Sequence, residues 1–220
     1  MDMMEIGAKI GVYYIPFLFA LCFHEYAHGF VAKKLGDNTA QMMGRLTLNP
    51  VVHMDLLGTV ALPLMAIIFN SPIFFGWAKP VPVNARNLKN PKTDMFWVAL
   101  AGPLSNILLA VIGTLAIGGL THYVPITSTV KACIQILTVF IMTNLFLAIF
   151  NLLPLNPLDG GKVIARFLPP QWNYKLEQNE HITSMILMAL VLTGALKILS
   201  IPVYWGFNLL MSGVGIGGVS

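Results

Sequence analysis

The sequence predicts an all-α polytopic membrane protein, a bundle of about five to six membrane segments. Hydrophobic residues make up 56% of the 220-residue chain and charged residues only 10%, whereas a soluble domain carries about 25% charged residues. The apolar residues are gathered in runs that approach the roughly 20 residues that a spanning helix needs. The basic residues lie mostly in short loops between these runs, as the positive-inside rule describes.

The apolar runs alternate with polar stretches along the whole chain. In order they are Ile10–Ala32, Leu56–Phe75, Phe96–Leu120, Val130–Leu153, Ile182–Leu199 and Val203–Val219. The last two runs are short and almost adjacent, so we expect a tight helical hairpin or one broken unit. No polar stretch is long enough for a second soluble domain, and residues 1–220 are therefore expected to form a single integral-membrane domain.

Two polar stretches contain signals for small β elements. Gly44 lies between Thr39–Met43 and Arg45–Leu48 and could turn a small hairpin. The run Pro80–Asn84 (PVPVN) is expected to be extended, because its prolines suit an edge strand. We therefore expect small β-hairpin elements beside the helical bundle.

The charge and cysteine content exclude several other classes of protein. The net charge of +4 does not indicate a nucleic-acid partner, because the basic residues are spread over interhelical loops. Cys22 and Cys133 lie in apolar runs and form no CxxC pair, so a disulfide framework is not expected. Asp2 and Glu5 stand where a signal peptide carries basic residues, so the first run is expected to be retained.

The first apolar run contains the motif HEYAH, from His24 to His28. Residues four apart share one face of a helix, so both imidazoles can reach one metal ion, with Glu25 beside them. Ionisable side chains inside a membrane segment are costly, and packing does not explain three of them so close together. The motif therefore predicts a zinc site where Glu25 takes a proton from the attacking water.

A catalytic zinc site with one open position needs a third protein ligand. Asp159 is the best candidate, within the sequence NLLPLNPLDGG (Asn151–Gly161) that follows the fourth apolar run. Its prolines end the helix, and its two glycines allow the backbone to approach closely. The alternative is an ordinary Asp-Gly turn at a helix end. His53 is interpreted as a loop residue, and Asn106 as a polar contact between helices.

Four sequences together resemble the site-2 protease family of intramembrane zinc metalloproteases. They are HEYAH, AGPLSN (Ala101–Asn106), FGWAKPVPVN (Phe75–Asn84) and NLLPLNPLDGG. The match is to compact bacterial members without PDZ or CBS domains, and it covers nearly the whole chain. One departure is Asn156, where relatives often have proline.

The resemblance implies a role for each residue of these motifs. It assigns His24, His28 and Asp159 to one Zn²⁺ per chain and makes Glu25 the catalytic base. It places Asn151 and Pro154 beside the bound substrate.

The implied function is hydrolysis of peptide bonds in or near transmembrane segments of other membrane proteins. The implied partners are a transmembrane protein substrate and the lipid bilayer, with no nucleic acid, and the implied location is the bacterial inner membrane. Two alternatives remain: a membrane protein that binds or transports metal, and an inactive relative that acts as a binding protein. A metal transporter would be expected to have several polar groups distributed across the membrane. An inactive relative would be expected to have lost Glu25 or one of the metal ligands. The oligomeric state and the substrate are not predicted.

Sharing one metal also constrains the membrane topology. The ends of the first and fourth apolar runs must lie near the same membrane face, so only one of the two runs between them can span. Leu56–Phe75 contains Pro63 and is predicted to be re-entrant. The loops Lys33–Asp55 and Gly76–Met95 are then both cytoplasmic, and the active site lies nearer that face.

Overall fold

The computed structural model describes residues 2–71 and 74–216 of the chain. These residues form helices joined by loops, and no strand occurs among them. In chain order the helices are α1 (Met3–Lys34), α2 (Thr39–Met42), α3 (Pro50–His53), α4 (Leu56–Ile68), α5 (Pro91–Tyr123), α6 (Ser128–Asn151), α7 (Asp159–Ala165), α8 (Pro170–Gln178), α9 (Glu180–Leu192) and α10 (Ala195–Gly213). Within the described ranges, α1, α5, α6 and α10 are the four helices long and apolar enough to cross a membrane.

Helix α1 begins before the first apolar run because its polar end is capped. The Asp2 carboxylate accepts a hydrogen bond from the Glu5 N–H at 2.7 Å, and Lys9 forms an ion pair with Glu5 at 3.1 Å. An N-terminal cap of this kind satisfies backbone donors that have no partner within the helix. The helix therefore starts at Met3, and it contains one π-helical turn at Ile10–Tyr14.

Helices α1, α5 and α6 form the centre of the bundle. Small residues lie where they meet, and Ala20, Ala110 and Ala148 are almost fully buried. A Cβ atom on Gly113 of α5 would lie only 2.9 Å from Ile141 of α6, so glycine is needed at this contact. Small residues allow helices in membranes to approach closely enough for dispersion contacts to hold them together.

The break near the C-terminus lies at a different position from the one predicted. The last two apolar runs are separated by residues 200–202, where a break was expected, but Pro202 lies in the first turn of the α-helical part of α10. Proline is accepted there because the first turn of a helix leaves its N–H groups unpaired. The chain instead turns at Gly194, whose φ of 72° is left-handed and ends α9.

The β-hairpin expected around Gly44 is not formed. Thr39–Met42 is a helical turn, because the buried Asp37 carboxylate accepts hydrogen bonds from the Thr39 N–H and hydroxyl. Asp37 also accepts hydrogen bonds from the Asn84 N–H (2.7 Å) and the Asn87 side chain (2.8 Å). Burial raises the pKa of Asp37, but these hydrogen bonds outweigh burial and lower the pKa below its ordinary value.

Helix α4 runs back along the N-terminal half of α1. Its C-terminal end reaches Asn70, whose side chain accepts a hydrogen bond from Lys9 Nζ at 3.0 Å. The chain then returns through a non-helical stretch, Phe74–Asn84, which we call the return segment. It meets the end of α3, where the Lys79 N–H donates to the His53 carbonyl at 2.9 Å. The middle of the return segment therefore lies close to the start of α4.

Candidate metal centre

Three buried side chains from two distant parts of the sequence meet beside α5. His24 Nε2 lies 3.0 Å from His28 Nε2, and Asp159 Oδ2 lies 3.1 Å from the first and 3.3 Å from the second. Tetrahedral ligands about 2.0–2.1 Å from a zinc ion are roughly 3.3 Å apart. The three atoms are therefore close enough to bind one metal ion, as the sequence predicted.

The hydrogen bonds of the two imidazoles determine which nitrogen faces the centre. His28 Nδ1 lies 2.7 Å from the carbonyl of Val98, and a carbonyl can only accept, so Nδ1 carries the proton. His24 Nδ1 lies 2.7 Å from Oδ1 of Asn106. Both Nε2 atoms then present lone pairs, and these cannot hydrogen-bond each other or a carboxylate. Three electron-rich atoms therefore converge, and a cation is the partner that satisfies all of them.

The orientation of Asn106 depends on a second asparagine. Its Nδ2 donates to the Ala20 carbonyl (3.1 Å) and to Oδ1 of Asn144 (2.8 Å), so its own Oδ1 is left to accept from His24. Asn144 is fixed in turn, because its Nδ2 donates to the Phe140 carbonyl at 2.9 Å. Second-shell partners of this kind set the tautomer and direction of a metal-binding histidine.

From the sequence, a polar contact between helices was the favoured role for Asn106 and a role in the site the alternative, whereas Asn144 was not identified. An asparagine within an apolar helix was the available signal in both cases. Both side chains are fully buried.

Gly102 of α5 provides the space in which the imidazoles meet. A Cβ atom at this position would lie 2.5 Å from His28 Nε2 and 2.6 Å from His24 Nε2. Such contacts are far inside van der Waals distance, so any larger residue would displace the two nitrogen atoms. The second residue of the AGPLSN motif is therefore explained by the metal site and not by helix packing alone.

Asp159 reaches the centre because the chain turns sharply between α6 and α7. Gly160 packs against the carbonyl oxygens of Leu152 and Leu153, and Gly161 packs against Oδ1 of Asn156, so neither position has room for a Cβ. Asn156 also donates to the Leu176 carbonyl of α8 at 3.2 Å. Asn156, where relatives often have proline, thus connects this turn to α8.

Glu25 lies beside the cluster of His24, His28 and Asp159 and does not belong to it. Its Oε2 accepts a hydrogen bond of 2.7 Å from the N–H of Val81 in the return segment. Arg45, which is buried, donates to the carbonyls of Lys79 (2.8 Å) and Pro80 (3.2 Å) and so fixes this part of the segment.

The cluster opens into a cavity of about 1150 Å³. His24, Glu25 and Asp159 line it, together with part of the return segment, α7 and α9. Asn151 also lines the cavity, and its Nδ2 donates to the Leu147 carbonyl at 2.9 Å.

Pro154 lies in the bend after α6, outside the residues that line the cavity. His53 is buried away from the cluster, where Nε2 donates to the Thr47 carbonyl at 2.8 Å.

The close approach at Gly102 makes a specific prediction about metal affinity. Gly102→Ala should weaken zinc binding at least about tenfold, because the added methyl group displaces both imidazoles. Gly119→Ala on the same helix is a matched control, since nothing lies within 4 Å of its Cβ position. Zinc affinity would be measured by competition with a chelator on the folded protein. Equal affinities in the two variants would contradict the packing argument.

Comparisons with known proteins agree with a zinc centre. The family model described as Peptidase family M50 matches residues 116–194. A Bacillus subtilis protein named "Putative zinc metalloprotease YwhC" is 38% identical over 181 residues, which cover 81% of this chain and 79% of that protein. The Mycolicibacterium smegmatis protein "Putative zinc metalloprotease Rip2" is 30% identical over 213 residues, which cover 94% of this chain and 78% of that protein. No solved structure matches the chain. The chain belongs to peptidase family M50, the site-2 protease family.

Proposed function

We propose that this protein is a zinc metalloendopeptidase that hydrolyses peptide bonds in or near transmembrane segments of other membrane proteins. The observation that carries the proposal is a carboxylate beside a three-ligand metal site, with both open to one large cavity. Zinc held by His24, His28 and Asp159 would lower the pKa of a bound water and polarise the substrate carbonyl. Glu25 then accepts the proton of the water and delivers it to the leaving amine.

The Val81 N–H prepares Glu25 for this role. It holds Oε2 at 2.7 Å and so fixes the rotamer of the carboxylate before a substrate arrives. A fixed base avoids the entropic cost of ordering the side chain during the reaction. We assign Asn151 to substrate binding because it lines the cavity, and we give Pro154 only the role of shaping the turn after α6.

The proposed role of Glu25 can be separated from metal binding. Glu25→Gln should lower the rate of cleavage by about 10²–10⁴-fold, because the amide cannot take the proton. Zinc should stay bound, since Glu25 is not a ligand. The measurement is the cleavage rate of a single-span substrate alongside the zinc content of the same sample. Glu5→Gln, an exposed change on the same helix, is the control, and full activity in Glu25→Gln would remove the assignment.

A substrate segment must be extended before it can be cleaved, because the backbone of a helix is shielded by its own side chains and hydrogen bonds. The return segment offers such a segment a partner. The N–H groups of Trp77 and Lys79 bond to the Gly58 and His53 carbonyls, and this two-residue alternation is typical of extended backbone. Ala78, between them, lines the cavity and makes no backbone hydrogen bond within the described part of the chain. We propose that the substrate adds there as a strand.

Strand addition predicts an alternating sensitivity in the substrate backbone. N-methylation of every second amide near the cut should slow cleavage, because those amides point towards Ala78. Methylation of the intervening amides should have little effect. The measurement is the cleavage rate for a series of peptides, each methylated at one amide, with side chains unchanged. Uniform sensitivity at neighbouring amides would argue against strand addition.

For the membrane orientation, we propose that α4 and the return segment form a re-entrant unit with both flanking loops in the cytoplasm. At about 1.5 Å per residue, α4 covers roughly 20 Å, less than the hydrocarbon thickness of about 30 Å. The contacts of Asp37 with Asn84 and of Arg45 with Lys79 support placing both loops on one side. The active site then lies nearer the cytoplasmic face of the bacterial inner membrane.

Cysteine labelling tests this orientation. In a protein whose exposed Cys133 is replaced by serine, cysteines at the exposed positions Asn38 and Asn90 should react only with reagent on the cytoplasmic side. A cysteine at Ser128, exposed at the start of α6, should react only from the opposite side and serves as the reference. Labelling of Asn38→Cys and Asn90→Cys from different sides would overturn the topology.

A further inference from the structure

One end of the active-site cavity is lined by three cations from two helices. They are Lys92 in the first turn of α5, and Lys162 and Arg166 on and just after α7. None of the three forms an ion pair within residues 2–71 and 74–216. Apart from Asp159 and Glu25, the acidic residue among the described residues that line this cavity is Glu180.

The helices place these cations at a defined distance from the metal ligands. Asp159, Lys162 and Arg166 are three and four residues apart, so they share one face of a helix. At about 1.5 Å per residue, Lys162 lies roughly 4.5 Å and Arg166 roughly 10 Å along the helix from Asp159. Lys92 lies roughly 9 Å along α5 from Val98, whose carbonyl holds His28.

The two sets of cations lie at the same end of the cavity. The ring of Phe96 in α5 is 5.8 Å from the ring of Phe167, the residue that follows Arg166. This contact brings the start of α5 and the end of α7 together. The cations therefore form a group on one side of the candidate metal ligands, which we call the basic end of the cavity.

We infer that the basic end binds an acidic side chain of the substrate, about three residues from the bond that is cut. The inference rests on the proposed endopeptidase function. An extended chain advances about 3.3 Å per residue, so roughly 10 Å corresponds to three residues. A carboxylate there would complement three cations that have no ion-pair partner. Such complementarity discriminates between charged and uncharged substrates.

Lipid headgroups are the competing partner for basic residues at a membrane surface. Lys89 and Lys92 lie in a polar stretch between two apolar runs, so their sequence positions alone favour such contacts for both. Both lysine side chains are exposed, but Lys92 lines the cavity that contains the catalytic residues and Lys89 does not. The substrate is therefore the occupant that the position of the basic end favours.

The test compares substrates that differ in one charge. A single-span substrate would carry Glu, Gln or Lys three residues from a mapped cut, on each side in turn. For one side, cleavage of the Glu substrate should be about tenfold faster than cleavage of the Lys substrate. Arg166→Glu should abolish or reverse this preference with zinc content unchanged, whereas Lys89→Glu, the matched control, should keep it.

Each result decides the inference separately from the proposed function. Equal cleavage of all three substrates on both sides overturns the inference and leaves the endopeptidase intact. If no substrate is cleaved, the proposed function fails. The inference is then tested by the binding of the same peptides to the Glu25→Gln protein, and equal affinities for the three peptides would overturn it. Rates that follow the phosphatidylglycerol content of phosphatidylcholine vesicles and ignore the substrate charge assign the cations to lipid and also overturn it.

Discussion

The meeting of His24, His28 and Asp159 in an apolar bundle is the constraint on which the rest of the site depends. A buried lone pair without a donor or a cation is costly. The protein satisfies the far nitrogen of each imidazole with its own acceptors, Val98 and Asn106, and leaves the near atoms for a metal. The site is therefore built to be complete only with a cation bound, and the surrounding helices are arranged to supply these acceptors.

Helix α5 has a central role because it contributes to the site in three ways. It carries the carbonyl that holds His28, the amide that holds His24, and the glycine that leaves room for both rings. Val98, Gly102 and Asn106 are four residues apart, so they lie along one face of the helix. This spacing explains why AGPLSN occurs together with HEYAH. The face of α5 that carries these residues must fit the face of α1 that carries His24 and His28.

The sequence predicted the parts of the protein that depend on local chemistry. Apolar runs predicted the helices, because membrane helices must be apolar along their length. HEYAH was found because ionisable residues are conspicuous in such runs, and Asp159 because it follows one of them in a sequence whose prolines and glycines break the helix. Asn144 and Gly102 were not given roles, because their effect depends on which helix they face. The hairpin at Gly44 was wrong because the buried Asp37 turns this stretch into a helix, and that burial arises from residues far along the chain.

The position of Glu25 depends on the return segment, which lies outside the cluster of His24, His28 and Asp159. Val81 can hold Glu25 only if the segment keeps one conformation, although it has neither helix nor strand to maintain it. Two buried charges supply the missing order: Arg45 binds carbonyls before Val81, and Asp37 binds an N–H after it. Burying a charge is costly unless it is hydrogen-bonded, and here the return segment's own backbone provides those bonds. The stretch between α1 and α3 therefore belongs to the proposed active site, since Asp37 and Arg45 fix the segment whose Val81 N–H holds Glu25.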